Sequence, residues 1–413
     1  MKIGLTTSVI QRGKTGIAEY LFSLVRAFES HAKKHQFILF VLEGDLPLFD
    51  FAKKFVQLIS VPEKFRPPLK DIFWHQIILP KLTRKLQLDV LHVPSYRRLL
   101  WRKPCALVAT VHDLAAFHVA EKYDPARMFY GRVVARQLAL RQDAVIAISQ
   151  NTARDIKKFW KLPDEKIAVV HHGVNHERFF PAMREIAKAN GANHFGLQHL
   201  FFLYVARLEH PAKNHLRLIE AFERFKEETQ SPWQLVLAGG DWHGAETIHA
   251  AIKNSPFARD IRCLGFVSPA ELPILYRAAD VFVYPSLYEG FGFPPLEAMA
   301  CGCPVLCSAR GALGEVVGDA AVTVNPEDVA ELKFQLTRLA ADENLRGQLR
   351  AAGLVRAKSF DWRRTAGATL EIYERAVQQR NSPILSNAPQ RGGVPPPQLG
   401  SPPDCKISAA MVQ

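Results

Sequence analysis

The stretch Asp280-Val281-Phe282-Val283-Tyr284-Pro285-Ser286-Leu287-Tyr288-Glu289-Gly290-Phe291-Gly292-Phe293-Pro294-Pro295-Leu296-Glu297 carries the densest signal in the chain. Val281–Tyr284 is a short apolar run of the kind found in strands buried on both faces. A glycine-containing loop follows, and Pro294 and Pro295 suit the first turn of a helix, where their missing N–H costs nothing. This reading puts Glu289 in the loop and Glu297 in the first helical turn, where the dipole keeps a carboxylate ionised. Two carboxylates flanking a bare helix N-terminus can contact a sugar and a ribose while the backbone takes phosphate. The plain alternative is two unrelated surface glutamates.

Outward from this stretch, short apolar runs alternate with amphipathic segments, the pattern of an α/β protein with parallel sheets. Expected strands in the first half are Lys2–Leu5, Gln36–Leu42, Val90–Val93, Ala106–Val111, Ala144–Ile148 and Ile167–His171. A second series comprises Phe201–Val205, Gln234–Ala238, Ile261–Leu264, Val281–Tyr284, Pro304–Cys307 and Ala321–Val324. Between them, Pro181–Leu200 is polar and reads as a linker. With 413 residues against a usual ~150 per domain, two doubly wound domains are expected, about 1–183 and 196–361. Such sheets bind ligands beyond the carboxyl ends of their strands, so two facing crevices would form a cleft. From Ser382 to Gln413 the Pro-rich composition indicates a disordered tail.

Composition is that of a globular protein, 48% apolar and 23% charged, which excludes global disorder. The net charge of +13 favours anionic partners without choosing among them. Cys301, Cys303 and Cys307 lack paired CxxC spacing, and no histidine follows within reach, so no metal site is expected. The N-terminus turns polar after four residues and no run approaches ~20 apolar residues, so neither signal peptide nor membrane span is expected.

Gly13-Lys14-Thr15 invites a phosphate-loop reading, but Ser8 stands where that motif needs a glycine. Gly16, opening the helix Ile17–Phe28, is better read as a glycine that lets a ligand approach the helix N-terminus. His112-Asp113, Ser149 and Gly173-Val174-Asn175 each end an apolar run, which gathers polar and small residues at one rim. A buried structural His–Asp pair is the alternative for the first. Arg207 and Lys213, after Phe201–Val205, place a donor fork and a point charge where a diphosphate could sit. A solvated basic loop is the alternative there.

Together these features resemble the retaining GT-B glycosyltransferases of glycosyltransferase family 4, over roughly residues 1–378. The most specific element is E-x7-E, Glu289 to Glu297, inside YPSLYEGFGFPPLEAMACGCPV. Further matches are VARLEHPAKN, Leu264-Gly265-Phe266-Val267, GEVVGDAA and FDWRRTAGATLEIYERA; TGIAEY, DVLHVPSY, TVHDLAAF, AISQNTARD and HHGVN match in the first half. The resemblance implies two Rossmann-like domains facing across a cleft, with a final helix near 362–378 returning to the first. It implies that Glu289 sits beside the donor sugar, with Leu296 nearby, and that Glu297 holds the ribose. Arg207 and Lys213 would neutralise the leaving diphosphate. Backbone N–H groups of Gly290, Phe291, Gly292 and Phe293 would meet sugar hydroxyls, His112 would lie near the reacting carbon, and Gly16 near phosphate and acceptor. The family is metal-independent and uses no cofactor beyond the nucleotide-sugar co-substrate. Retention implies a double displacement or same-face attack, and the family picture favours the latter. One departure is that Arg207 and Lys213 stand six apart, where many relatives have five. Another is that Gly314 precedes Glu315 where proline is common, and Glu315 is given no role.

A basic excess (Lys53-Lys54, Lys64, Arg66, Lys70, Lys81, Arg84-Lys85, Arg97-Arg98, Arg102-Lys103) is interleaved with Trp74, Leu99-Leu100 and Trp101. This suggests an acidic membrane surface as partner; a solvated basic face is the alternative, and no nucleic-acid module is seen. The expectation is a cytoplasmic or peripheral hexosyltransferase of cell-surface polysaccharide synthesis, with mannose from GDP-mannose preferred and a glycan or lipid-linked acceptor. A UDP-sugar-dependent transferase, a non-catalytic nucleotide-sugar binder, an epimerase and a phosphorylase are the rivals.

Overall fold

The computed structural model describes residues 1–13, 15–118 and 128–381. Lys14 and the Pro-rich stretch from Ser382 lie outside the described residues. Two compact units are present: Met1–Gly173 with the chain from Asp361, and Val174–Phe360.

The first unit contains β1 (Lys2–Thr6), β2 (Gln36–Leu42), β3 (Val56–Val61), β4 (Val90–Val93), β5 (Ala106–Val111), β6 (Ala144–Ala147) and β7 (Ile167–Val169). All pair in parallel, in the order β3-β2-β1-β4-β5-β6-β7. Every residue of β4 and β5 is buried, as expected of strands covered on both faces. The strand β3 is absent from the strands expected from sequence. It lies at the sheet edge and buries only its two end residues fully, so it lacks the continuous apolar run of the central strands.

The helix Gly16–Phe28 is capped by Thr15, whose Oγ1 accepts from Ala18 N at 3.2 Å. It buries Ala18, Leu21, Val25 and Phe28 on one face; each large apolar side chain so buried contributes about 1.5–3 kcal/mol. The final helix, Trp362–Asn381, packs onto this same unit. Thr365 Oγ1 donates to His171 O at 2.8 Å, and Tyr373 Oη is hydrogen-bonded to His92 Nδ1 at 2.6 Å. Gly173 permits this approach, because a Cβ there would lie 2.3 Å from Trp362 N.

The second unit contains β8 (Phe201–Val205), β9 (Gln234–Ala238), β10 (Ile261–Gly265), β11 (Val281–Tyr284), β12 (Val305–Ser308) and β13 (Val322–Val324). Their order is β10-β9-β8-β11-β12-β13, again all parallel. This is the 3-2-1-4-5-6 order of a dinucleotide-binding sheet, with its reversal between β8 and β11. The segment expected to be a linker is not one. Arg184–Phe195 is a helix ended by Gly196 in the left-handed region, and Arg184 and Lys188 both bond the buried Asp280 carboxylate. Its low apolar content hid it, because charge pairing holds it as much as packing.

Cys301, Cys303 and Cys307 are buried, and burial pushes each thiol up to about 12. Among the described residues, no helix is long and apolar enough to cross a membrane. Trp74, Leu99 and Leu100 belong to the core, so they are not the apolar partners of the basic surface. Leu69, Phe73, Ile77 and Trp101 are the exposed ones.

Candidate active site

Because β8 and β11 are neighbours at the sheet reversal, the loops leaving their carboxyl ends meet. Asn214 ties them together: its Nδ2 donates to Pro285 O at 3.0 Å and to Pro326 O at 2.6 Å. Lys213 Nζ thereby reaches Glu289 Oε1 at 2.5 Å, and Tyr284 Oη donates to the same oxygen at 3.0 Å. Burial disfavours the Glu289 carboxylate, but the Lys213 ammonium and hydroxyl donors outweigh it and hold the group below the usual range. Burial likewise works against the Lys213 charge, and Glu289 raises it above its ordinary value. The pair is ionised at neutral pH.

The backbone of Glu289 is fixed from the other side. Ala312 N donates to Glu289 O at 3.0 Å, and a Cβ on Gly311 would lie 2.6 Å from that carbonyl oxygen. Gly292 has φ of 117° and starts the helix Phe293–Ala300, with Pro294 and Pro295 in its first turn. Glu297 consequently falls in the second turn, not the first. Its carboxylate is placed by Tyr276, whose Oη donates to Oε2 at 2.9 Å. In the sequence that joins Glu289 to Glu297, Gly290, Phe291 and Leu296 are buried and Phe293 is half-buried. Arg207 is half exposed at the end of β8. Its Nη2 donates to Glu209 Oε2 at 3.0 Å, and its guanidinium stacks 4.6 Å from the Trp242 ring.

In the first unit the sheet reverses between β1 and β4, and a cavity of about 480 Å³ lies there. His112, Asp113, Ser8, Asp71, Ser95 and Arg12 are among its lining residues. His112 follows β5 and its Nε2 donates to Pro94 O at 3.1 Å, with burial lowering its pKa to about 4. Asp113 is not its partner: Asp113 Oδ1 accepts from Ala115 N. Among the described residues, a Cβ at Gly16 meets nothing within 4 Å beyond its own helix and chain neighbours, so their packing does not call for glycine there. Ser149 is a cap, its Oγ accepting from Thr152 N at 3.0 Å.

Known proteins share this architecture. A sucrose-phosphate synthase from Thermosynechococcus elongatus superposes with a TM-score of 0.73 at 20% identity, over 91% of this chain and 98% of that one. Anabaena HepE in complex with UDP and glucose gives 0.71 at 19%, over 91% and 99%. Family models match residues 187–355, "Glycosyl transferases group 1", and 14–178, "Glycosyltransferase Family 4". The O-antigen chain mannosyltransferase B of Escherichia coli is 30% identical over 267 residues, 65% of this chain and 70% of that protein.

The chain belongs to glycosyltransferase family 4.

The Escherichia coli mannosyltransferase WbdA is 31% identical over 67% of this chain, which spans 34% of WbdA. In this family 4 glycosyltransferase, with its GT-B fold, the structure brings Lys213 to Glu289 despite the longer Arg207–Lys213 spacing. Sequence reasoning missed Tyr284, Tyr276, Trp242 and Glu209. Tyr284 closes the quoted strand and could have been found from its five-residue spacing to Glu289. Trp242 follows a different strand, and nothing local links it to Arg207.

Proposed function

We propose that this glycosyltransferase moves a hexose, mannose from GDP-mannose, to a growing glycan or lipid-linked acceptor in cell-surface polysaccharide synthesis. It does so with retention, without a metal ion, and from the cytoplasmic face of the plasma membrane. The donor assignment rests on one observation, the 30% identity to an O-antigen mannosyltransferase over most of both chains.

The chemistry asks for stabilisation of charge on the departing diphosphate while the sugar gains oxocarbenium character. Arg207 and Lys213 supply fixed cations for it. The bond from the anomeric carbon to diphosphate oxygen breaks, and the acceptor oxygen bonds to the same face. The acceptor proton passes to the departing diphosphate. Glu289, held ionised by Lys213, steadies the positive sugar, and Glu297 takes the ribose hydroxyls. His112 keeps Nδ1 as an acceptor for a sugar hydroxyl, because Nε2–H is committed to Pro94. The test is thermal stabilisation by GDP, UDP and ADP in EDTA. Ligand at ~100 times its Kd adds about 2.7 kcal/mol. A GDP shift that is lost in Glu297→Ala supports the reading; a UDP or ADP shift replaces the donor, and no shift removes the donor site.

A further inference from the structure

Two buried tyrosines stand behind the Lys213–Glu289 pair, and each holds a different member of it. Tyr204, in β8, donates its Oη to Lys213 O at 2.5 Å. Tyr284, the last residue of β11, donates to Glu289 Oε1 at 3.0 Å. Their rings pack edge to face with centroids 5.4 Å apart, so close packing fixes both hydroxyls in direction.

Lys213 and Tyr284 bond the same oxygen of Glu289 by unlike means. Lys213 carries its charge on a flexible four-carbon stem with rotatable donors, and its Nζ lies 5.8 Å from the Tyr284 ring centroid. Tyr284 carries its donor on a rigid ring that is 3% exposed. Burial and the Glu289 charge raise the Tyr284 pKa well above its ordinary value, so the hydroxyl keeps its proton and remains a donor. Ser286 also donates to the carboxylate, but its Oγ bonds Ala212 O at 3.3 Å as well, and a hydroxyl has one proton to give. The other charged groups facing these side chains are Glu209, which acts on Lys213, and Glu297 and Arg207, which act on Tyr284. Two of those three are acidic and do nothing to keep Glu289 anionic.

A diphosphate neutralised by Lys213 competes with Glu289 for the same ammonium. A buried carboxylate that lost its cation and kept no donor would take up a proton. We infer that Tyr284 is the positioning residue that prevents this: as Lys213 turns to the diphosphate, the Tyr284 hydroxyl holds the Glu289 carboxylate, still anionic, beside the sugar. The inference rests on the transferase reading and deepens it. Lysine can be shared with the leaving group because tyrosine cannot leave.

The experiment titrates the full chain calorimetrically with GDP-mannose, whose esterified diphosphate does not itself titrate in this range, at a pH of about 6. Two buffers of different ionisation enthalpy count the protons taken up on binding, and turnover of the same donor with water as acceptor is then measured. Before binding, Lys213 keeps Glu289 ionised in each protein, so a difference arises only in the complex. Tyr284→Phe is expected to bind GDP-mannose within about twofold of the wild type, to take up several-fold more protons, and to lose about ten- to a hundredfold in kcat. Adding Glu289→Gln should abolish the extra uptake. Tyr204→Phe, which loses a hydroxyl from the same ring pair but not from the carboxylate, should take up protons as the wild type does. Tyr284→Met, which also lacks the hydroxyl, is a second variant should Tyr284→Phe melt abnormally. Uptake equal to the wild type in the Tyr284 variants, an increase shared by Tyr204→Phe, or extra uptake that survives Glu289→Gln overturns the inference. Failure of GDP-mannose to bind the wild type removes the donor reading and this role with it; binding with unchanged uptake removes the role of Tyr284 alone.

Discussion

Lys213 Nζ lies 2.5 Å from Glu289 Oε1, with the two side chains only 14% and 17% exposed. An ion pair this dry is costly to break from one side, because the remaining charge keeps its desolvation and loses its partner.

Lys213→Met should therefore lower stability by roughly 3 kcal/mol and reduce transfer by at least a hundredfold, with Glu289 turning neutral at higher pH. The pair also sets a pH window. Glu289 is lowered, so its contribution is present above the unfolded carboxylate pKa and lost as pH falls through the folded one. Lys213 is raised, so its contribution is present below the unfolded lysine pKa and lost as pH rises through the folded one. Melting curves from acid to alkaline pH should show both edges in the wild type and neither contribution in the variant.

The buried histidines add a second acid-side dependence. Burial lowers His112 to about 4 and lowers His92 and His215 to about 3. Between these values and the ordinary ~6.5 the unfolded chain binds more protons, so stability should rise with pH up to about 6.5 and then level. His112→Gln should make that slope shallower; an unchanged slope would contradict the neutral, Pro94-bonded imidazole.

Gly16 and Gly311 separate ligand approach from packing. Gly16→Val should leave the melting temperature within about a degree, since among the described residues the added Cβ meets nothing within 4 Å beyond its own helix and chain neighbours, yet cut transfer at least tenfold. Gly311→Ala has φ of 66° and a Cβ 2.6 Å from Glu289 O. It should cost about 1–2 kcal/mol and lower kcat by displacing Glu289. Paired melts and kinetics distinguish the two.

Trp242 lies 4.6 Å under the Arg207 guanidinium. Removing that stack in Trp242→Ala should weaken nucleoside diphosphate binding about two- to fivefold, given ~0.5–1 kcal/mol for an exposed cation–π pair. Trp242→Phe should restore part of it. Titration of the three proteins with the stabilising nucleotide checks this.

Local sequence determined the strands of the second unit and the loop-to-helix turn that carries Glu289. Val281–Tyr284 is apolar because β11 is covered on both faces, and Gly292-Phe293-Pro294-Pro295 makes a loop-to-helix turn whatever surrounds it. Those signals need only neighbours in the chain. Tertiary structure decided the rest. Lys213 and Glu289 are 76 positions apart, and they meet because β8 and β11 pair at the sheet reversal, which no local pattern encodes. The helix Arg184–Phe195 is held by Asp280, nearly a hundred residues on, so its own polar sequence read as a linker. Trp74, Leu99 and Leu100 entered the core, while Leu69 and Phe73 were left outside, because apolar character alone does not say which face of a helix finds a partner.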